Sequence, residues 1–280
     1  MHLATLTGGD SVGYLHLDLD LSRVPETTRA TALCTRLWIA VLQGDSRADA
    51  LRERCRAEVV PIMPRLSKGQ TAVVTLAEGT YRWLALDDQR SGDMLHAALD
   101  DFVTAGALAD AALCAVYCAF EAHLRGDEAA AQRATAQGQA LAAHLGDGRL
   151  LCWAMWLAGL VDRWADRAGA AQQIAAAATR FAEVGDWRGL GWSLELLSWL
   201  AAASGQHVRA AELMGAADAH WRQFQLHLRV LGPIGAERAR WQAQVLKQLT
   251  PTSFHPLYDY GAGLPISGVI TLAVTLDGNS

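Results

Sequence analysis

The most constraining feature of this sequence is a series of glycine breaks at nearly constant spacing. Gly69, Gly106, Gly146 and Gly185 lie 37, 40 and 39 residues apart, and a further break falls between each neighbouring pair. No proline occurs between residues 65 and 232, so nothing in that stretch forbids continuous helices. A period near 40 residues with one internal break per unit predicts an array of stacked two-helix repeats.

Aspartate follows glycine at four of the breaks. The pairs are Gly44-Asp45, Gly126-Asp127, Gly146-Asp147 and Gly185-Asp186. Glycine adopts the left-handed conformation that ends one helix, and aspartate accepts backbone N–H bonds at the start of the next. The other internal breaks are predicted near Asp87-Asp88, near Gly169 and at Gly205.

Hydrophobic patterning divides the helices into two types. First helices, apolar over most of their surface, are predicted at 27–43, 70–86, 108–125, 149–166 and 187–204. Second helices, with one apolar face, are predicted at 46–60, 90–104, 128–145, 170–184 and 207–225. A helix that is apolar all round must be buried, and an amphipathic helix can cover it. The sequence therefore predicts an all-α fold, a right-handed α-solenoid of antiparallel helix pairs.

The two ends of the chain depart from this pattern. Residues 1–25 form a lead-in where leucine alternates with polar residues from Leu15 to Leu21, which favours a strand, although a short helix or an irregular segment is equally plausible. Residues 26–228 form the repeat domain of about five helix pairs. Residues 229–280 are predicted to form capping helices and a tail, with one helix at 234–249. β-branching in Ile266–Val274 leans towards a strand, but a short capping helix is preferred.

Composition excludes several classes of function. The net charge is −5 and there is no long basic block, so direct nucleic-acid binding is not expected. The N-terminus lacks the basic start and apolar core of a signal peptide. The run from Leu150 to Val161 is far shorter than the roughly 20 residues that cross a bilayer. Five cysteines in apolar helices predict buried, reduced thiols. We therefore expect a cytoplasmic protein without a membrane segment.

No catalytic or metal-binding set is convincing. Ser11 lies in a G-x-S-x-G motif, but that nucleophile elbow needs a strand-to-helix turn in an α/β sheet. Cys114 and Cys118 are one turn apart, yet Glu121 and His123 do not share their face well, so core packing is preferred to a metal site. No G-x-x-x-x-G-K-[ST] loop is present, so no nucleotide cofactor is expected. The sequence predicts a protein that is not an enzyme.

Tryptophan is the notable residue type. Ten are present, and those on the first helices are Trp38, Trp83, Trp153, Trp156, Trp192 and Trp199. A groove for a protein segment or a flat hydrophobic ligand is predicted from residues on these helices: Tyr117, Glu121, Trp153, Trp156, Trp192, Glu195 and Trp199. The alternative is that the tryptophans fill the space between stacked helices. Glu195 must reach water, an arginine or a ligand, because burying an unpaired carboxylate is costly.

Parts of the sequence resemble a known family. The residues that carry the resemblance are Ser198 to Gln206, Arg209 to Ala217, Pro233 with Glu237-Arg238, Tyr260 to Leu264, and Pro25-Glu26-Thr27 to Gln43-Gly44-Asp45. Over residues 22–275 the chain looks like the C-terminal tetratricopeptide-like (TPR-like) region of actinobacterial LuxR-type regulators, which are STAND ATPases. It lacks the phosphate-binding loop and the helix-turn-helix domain of that family.

The resemblance implies a function in transcriptional regulation. We expect a non-enzymatic module that binds a protein segment or a partner domain, or senses an effector. Two alternatives stay open at this stage. One is a small-molecule sensor that uses the tryptophan-lined groove, and the other is a serine hydrolase that uses Ser11. The sequence predicts neither the ligand nor the oligomeric state.

Overall fold

The computed structural model describes residues 24–162, 166–224, 226 and 228–275. Within these ranges there are thirteen α-helices and two short 3-10 helices, with no strand. The alternating leucines from Leu15 to Leu21 and the motif around Ser11 lie outside the described residues. The all-α prediction is confirmed for the part of the chain that the structure describes.

The helices follow the predicted pairs closely. In chain order they are α1 (Glu26–Gln43) and α2 (Ala48–Val59), α3 (Lys68–Leu84) and α4 (Ser91–Thr104), α5 (Leu108–Arg125) and α6 (Glu128–Leu145), α7 (Gly148–Asp162) and α8 (Arg167–Glu183), α9 (Trp187–Ala203) and α10 (His207–Gln223), and then α11 (Gly232–Gln248), α12 (Pro251–Ala262) and α13 (Ile266–Val274). The 3-10 helices are Val60–Arg65 and Leu228–Val230. The described part of α7 stops at Asp162, and among helix ends that lie within described residues the largest difference is three residues, at the start of α8, predicted at residue 170 and observed at Arg167.

Left-handed glycines end the helices as predicted at six positions. Gly44, Gly106, Gly126, Gly146, Gly185 and Gly205 have φ values between 63° and 79°. Aspartate also acts as expected after three of them. Asp127, Asp147 and Asp186 each accept a bond from the amide three residues later, at distances of 2.9–3.0 Å. These local signals are sufficient to position most of the turns.

Two of the predicted breaks lie two or three residues too far along the chain. Gly69 and Gly169 lie inside the first turns of α3 and α8 rather than in loops. A polar residue upstream starts each helix: the Ser67 side chain accepts a bond from the amide of Gln70, and Asp166 Oδ1 accepts one from the amide of Gly169 at 3.0 Å. The helix N-cap, and not the glycine after it, sets the boundary.

Neighbouring helices share one continuous core. Each first helix packs against its own second helix and also against the first helix of the next pair. Buried side chains from Ala30 in α1 to Ala273 in α13 belong to a single apolar cluster. Because no pair can bury its apolar first helix alone, the stability of each pair depends on its neighbours.

The three C-terminal helices take different routes. α12 packs on α10 and α13 packs on α8, whereas α11 contacts α3, α5, α9 and α10. α13 confirms the preference for a helix over Ile266–Val274. α12 was not predicted from the sequence, because its prolines and Gly261 resemble loop signals. In fact Pro251 occupies the first turn, and Gly261 packs so closely on α10 that a Cβ atom there would clash with the Glu212 carbonyl oxygen.

None of the described helices is individually long and apolar enough to cross a membrane. α12 and α13 pass such a test only when they are taken together, and they meet at an angle of 119°.

Candidate functional site

The face of the first helices that α11 contacts is rich in aromatic rings. We call it the aromatic face and define it by the six rings that line one cavity: Trp83, Tyr117, Phe120, Trp153, Trp156 and Trp192. Phe120 lies at its centre, with edge-to-face contacts to Trp83, Trp156 and Trp192 at centroid distances of 5.7, 5.5 and 5.3 Å. Such contacts add to the stabilisation from burial. The aromatic face thus joins four successive helix pairs, whose first helices are α3, α5, α7 and α9.

The segment before and within α11 covers this face. Leu231 and Ile234 close one side of the cavity, and both are buried. Gly232 lies so near the end of α3 that a Cβ atom there would be 2.9 Å from the Leu84 carbonyl oxygen. The enclosed volume is about 30 Å³, enough for a water molecule, which needs roughly 10–15 Å³. The aromatic face is therefore occupied by the protein's own chain.

Arg188 is the charged residue of the cavity lining. It lies in the first turn of α9 and interacts with the Tyr117 hydroxyl. Burial raises the pKa of Tyr117 to about 12, although the positive charge of Arg188 opposes the shift. The sequence analysis did not single out Arg188. A guanidinium at the start of an otherwise apolar helix was the available signal.

Glu195 lies at the centre of a buried ionic cluster that we call the C-terminal latch: Glu195, Asp218, Trp221, Arg238 and Tyr258. Glu195 Oε1 accepts bonds from Arg238 Nη1 and, at 3.1 Å, from Trp221 Nε1. The second Arg238 nitrogen, Nη2, pairs with Asp218 Oδ1, and Asp218 Oδ2 accepts a bond from the Tyr258 hydroxyl. The latch therefore connects α9 and α10 to α11 and α12.

The carboxyl of Glu195 is fully buried, and this determines its electrostatics. Desolvation raises the pKa of Glu195 above its usual value, while the charge of Arg238 opposes that shift. Of the three partners that the sequence analysis considered for this carboxylate, the structure provides the arginine. The sequence analysis missed Arg238 in this role. Its spacing was informative, because Ile234, Arg238, Trp241 and Val245 fall on one helical face.

The other predicted site residues divide between two locations. Tyr117, Trp153, Trp156 and Trp192 line the cavity, whereas Glu121, Glu195 and Trp199 do not. Glu121 Oε1 accepts bonds from Ser91 Oγ at 2.8 Å and from Arg125 Nε, so it joins the start of α4 to α5. Trp199 is buried in the shared core. The structure thus brings together four of the seven predicted groove residues.

Asp186 is a second polar anchor beneath the aromatic face. One carboxylate oxygen caps α9 through the Gly189 amide, and the other accepts a bond from Trp153 Nε1 at 3.0 Å. Burial raises the pKa of Asp186, and the bond from Gly189 opposes that shift. The sequence analysis predicted the cap but not the tryptophan partner. That contact orients one ring of the aromatic face.

A wider depression lies elsewhere, between α10, α12 and α13, with a volume of about 730 Å³. Its arginine, Arg209, donates to the carbonyl oxygens of Leu272 and Ala273 at 3.0 and 3.3 Å, and so binds the last turn of α13. No group of three or more potential metal ligands occurs among the described side chains. All five cysteines are buried, as predicted.

Comparisons with known proteins do not add a relative to these observations. No protein-family model matches the chain, and neither the curated proteins nor the solved structures contain a significant match. A function must therefore be inferred from the residues of the aromatic face and the C-terminal latch.

Proposed function

We propose that this chain is a non-enzymatic interaction module, a right-handed TPR-like solenoid that binds a helix of a partner protein on its aromatic face. The observation that carries the proposal is the position of α11, which lies against α3, α5 and α9. Helical-repeat proteins commonly use the side chains of successive repeats to hold an extended or helical segment. We call the surface of α3, α5, α9 and α10 that α11 contacts its seat. This seat has the chemistry of such a site.

A helix is a better ligand for this face than a flat small molecule. The cavity of about 30 Å³ is far below the roughly 300–1,000 Å³ of typical small-molecule pockets. The contacts of α11 extend over four helices. An amphipathic helix matches that extent with residues spaced at i, i+4 and i+7.

The proposal places this module in a transcriptional regulator. That part rests on the sequence resemblance to LuxR-type regulators. The acidic net charge of −5 supports a protein partner over direct contact with DNA. The described carboxylates that sequence analysis considered for a site, Glu121 and Glu195, both pair with arginine, which supports a structural use of these groups rather than catalysis.

A small-molecule sensor is the second candidate function, supported by unpaired donors on two residues that line the cavity. The indole nitrogens of Trp83 and Trp156 are buried and have no hydrogen-bond partner among the described residues. With Arg188 and the Tyr117 hydroxyl nearby, the cavity presents mainly donors. A ligand there would need acceptor atoms, and α11 would have to move to admit anything much larger than water.

The helix-binding proposal can be tested in trans. A chain ending at Phe224 would be titrated with a synthetic peptide of residues 228–248 in a calorimeter. We expect saturable binding with a negative heat-capacity change, because apolar surface is buried. A scrambled peptide is the negative control, and a peptide with Arg238→Ala should bind at least tenfold more weakly.

The proposal would be abandoned under either of two results. One is a shortened chain that keeps its helical circular dichroism but does not bind the peptide. The other is a shortened chain that loses its helical structure, because the C-terminal helices α11 to α13 would then be an indispensable part of the core and α11 could not be treated as a docked ligand.

A further inference from the structure

The buried face of α11 has a defined pattern. Ile234, Arg238, Trp241 and Val245 are its four buried residues, spaced at i, i+4, i+7 and i+11. Three are apolar and one, Arg238, is an arginine that is 3% exposed. An arginine among apolar residues is unusual on a buried helical face, because charged side chains are almost never fully buried without a partner. The pattern therefore identifies α11 as a specific ligand for its seat.

The seat is chemically complementary to that pattern. Glu195 and Asp218 belong to α9 and α10, and Arg238 bridges them with its two terminal nitrogens. Arg229, just before α11, donates to the second oxygen of Asp218 at 3.2 Å. The acidic groups lie on the repeat pairs and the basic groups on the C-terminal segment. A planar guanidinium suits two such carboxylates better than an ammonium does, because its donors form a fork.

α11 is held by far fewer buried residues than the helices beneath it. Four of its seventeen residues are buried, compared with thirteen of the seventeen in α9. Its other residues are half-buried or exposed, and the exposed ones include Arg240, Lys247 and Gln248. The buried ion pair adds little net stability to this docking, because desolvation offsets much of its attraction. Such a helix can open without global unfolding.

We propose that α11 is a built-in guard of the aromatic face and of the neighbouring carboxylates of Glu195 and Asp218, displaced by a partner helix with the same pattern. That partner carries an aliphatic residue, an arginine four positions later and an aromatic residue three positions after that. The inference rests on the proposed function and adds the chemistry of the partner and its regulation. Because α11 belongs to the same chain as its seat, it acts at a high effective concentration. A partner helix therefore competes only if it makes the same strong contacts, including those of the matching arginine.

The test uses the full chain and a fluorescent peptide of residues 228–248 as the partner surrogate. In the guard variant, Trp241→Ala weakens α11 and leaves the seat intact, because Trp241 is a buried residue of the guard itself. Leu246→Ala is the matched control, because Leu246 is 37% exposed on the same helix. We expect the Trp241→Ala chain to bind the peptide at least tenfold more tightly than the wild-type and Leu246→Ala chains.

The outcomes separate the guard from the interaction module. Equal binding to all three chains would overturn the guard and leave the proposed function standing. No binding to a folded Trp241→Ala chain would overturn both. A peptide with Arg238→Lys that bound as well as the original would overturn the arginine specificity of the partner.

Hydrogen exchange on the wild-type chain covers the case in which the Trp241→Ala chain fails to fold. If α11 is a guard, its amides exchange through a local opening, faster than those of α9 under the same conditions. If the amides of α11 and α9 exchange only together, by global unfolding, α11 is a fixed part of the core and the inference fails.

Discussion

Two buried glutamates on first helices, Glu121 in α5 and Glu195 in α9, solve the same electrostatic problem differently. Glu121 pairs with Arg125, which is four residues away on the same helix and 24% exposed. Glu195 pairs with Arg238, which is forty-three residues away and whose side chain is 4% exposed. The first pair joins two neighbours on one helical face, and its arginine reaches solvent. The second exists only when α11 is docked, so it connects a charge in the array to the position of the C-terminal segment.

The strongest way to break this comparison is to remove the distant arginine. Arg238→Ala leaves Glu195 buried without its cation, and we expect a loss of about 3–5 kcal/mol in the free energy of unfolding. Urea denaturation followed by tryptophan fluorescence measures it. Adding Glu195→Gln to the Arg238→Ala chain should recover part of the loss, because the unpaired charge is gone. A double variant that is no more stable than Arg238→Ala would contradict this account.

The second-largest effect is expected at a buried N-cap, Asp186, when it is compared with an exposed N-cap, Asp127. Asp186→Ala removes the bond to Gly189 and leaves the Trp153 indole without its acceptor, so the expected loss is about 2–3 kcal/mol from a lost cap and an unpaired donor. Asp127→Ala removes only a bond to Ala130 and should cost about 1 kcal/mol. Parallel urea titrations of the two variants measure the difference. Equal losses would show that the Trp153 contact contributes nothing.

A smaller effect is expected at the local pair. Arg125→Ala should reduce the free energy of unfolding by about 1–2 kcal/mol, because the buried Glu121 carboxylate loses a charged donor but still accepts the bond from Ser91 Oγ. Thermal unfolding with Lys68→Ala as an exposed control, whose side chain is 62% exposed, tests this. A loss as large as that of Arg238→Ala would remove the distinction between the local and the distant pair.

The smallest effect on the free energy of unfolding is expected from protonation of Glu195. The folded pKa of Glu195 is raised by burial, so the unfolded chain ionises first as the pH rises. Stability therefore falls as the pH rises from the unfolded pKa, about 4.3 for glutamate, through the folded pKa, and is constant above it. Relative to Glu195→Gln, the wild-type chain should gain stability as the pH falls from 7 towards 4. Urea midpoints at several pH values measure the difference, and a shift of opposite sign would refute the assignment.

The boundaries of the helices could be read from local chemistry, because the signals lie within one turn of the boundary. Gly126 and Asp127 form such a signal, and α5 and α6 begin and end at the predicted residues. The break predicted at Gly69 was displaced because the polar N-cap, Ser67, sets the start of α3, and the glycine that follows it does not. α12 was missed because Gly261 acts through the close approach of a distant helix, which a local pattern does not contain.

The candidate site was only half predictable for the same reason. The aromatic character of the first helices was visible, and so was the need of Glu195 for a partner. Which arginine would supply it, and that Glu121 would instead bind Ser91, depended on contacts between residues thirty or more positions apart. No local periodicity encodes such pairings.

By itself the sequence determined that this chain forms pairs of helices, because helix propensity, capping and amphipathic spacing act over a few residues. Tertiary structure alone decided that α11 would lie on the aromatic face and join its arginine to Glu195 and Asp218. The physical reason is that docking is decided by the burial of apolar rings and the pairing of charges from distant parts of the chain, and these interactions exist only after the helices have packed.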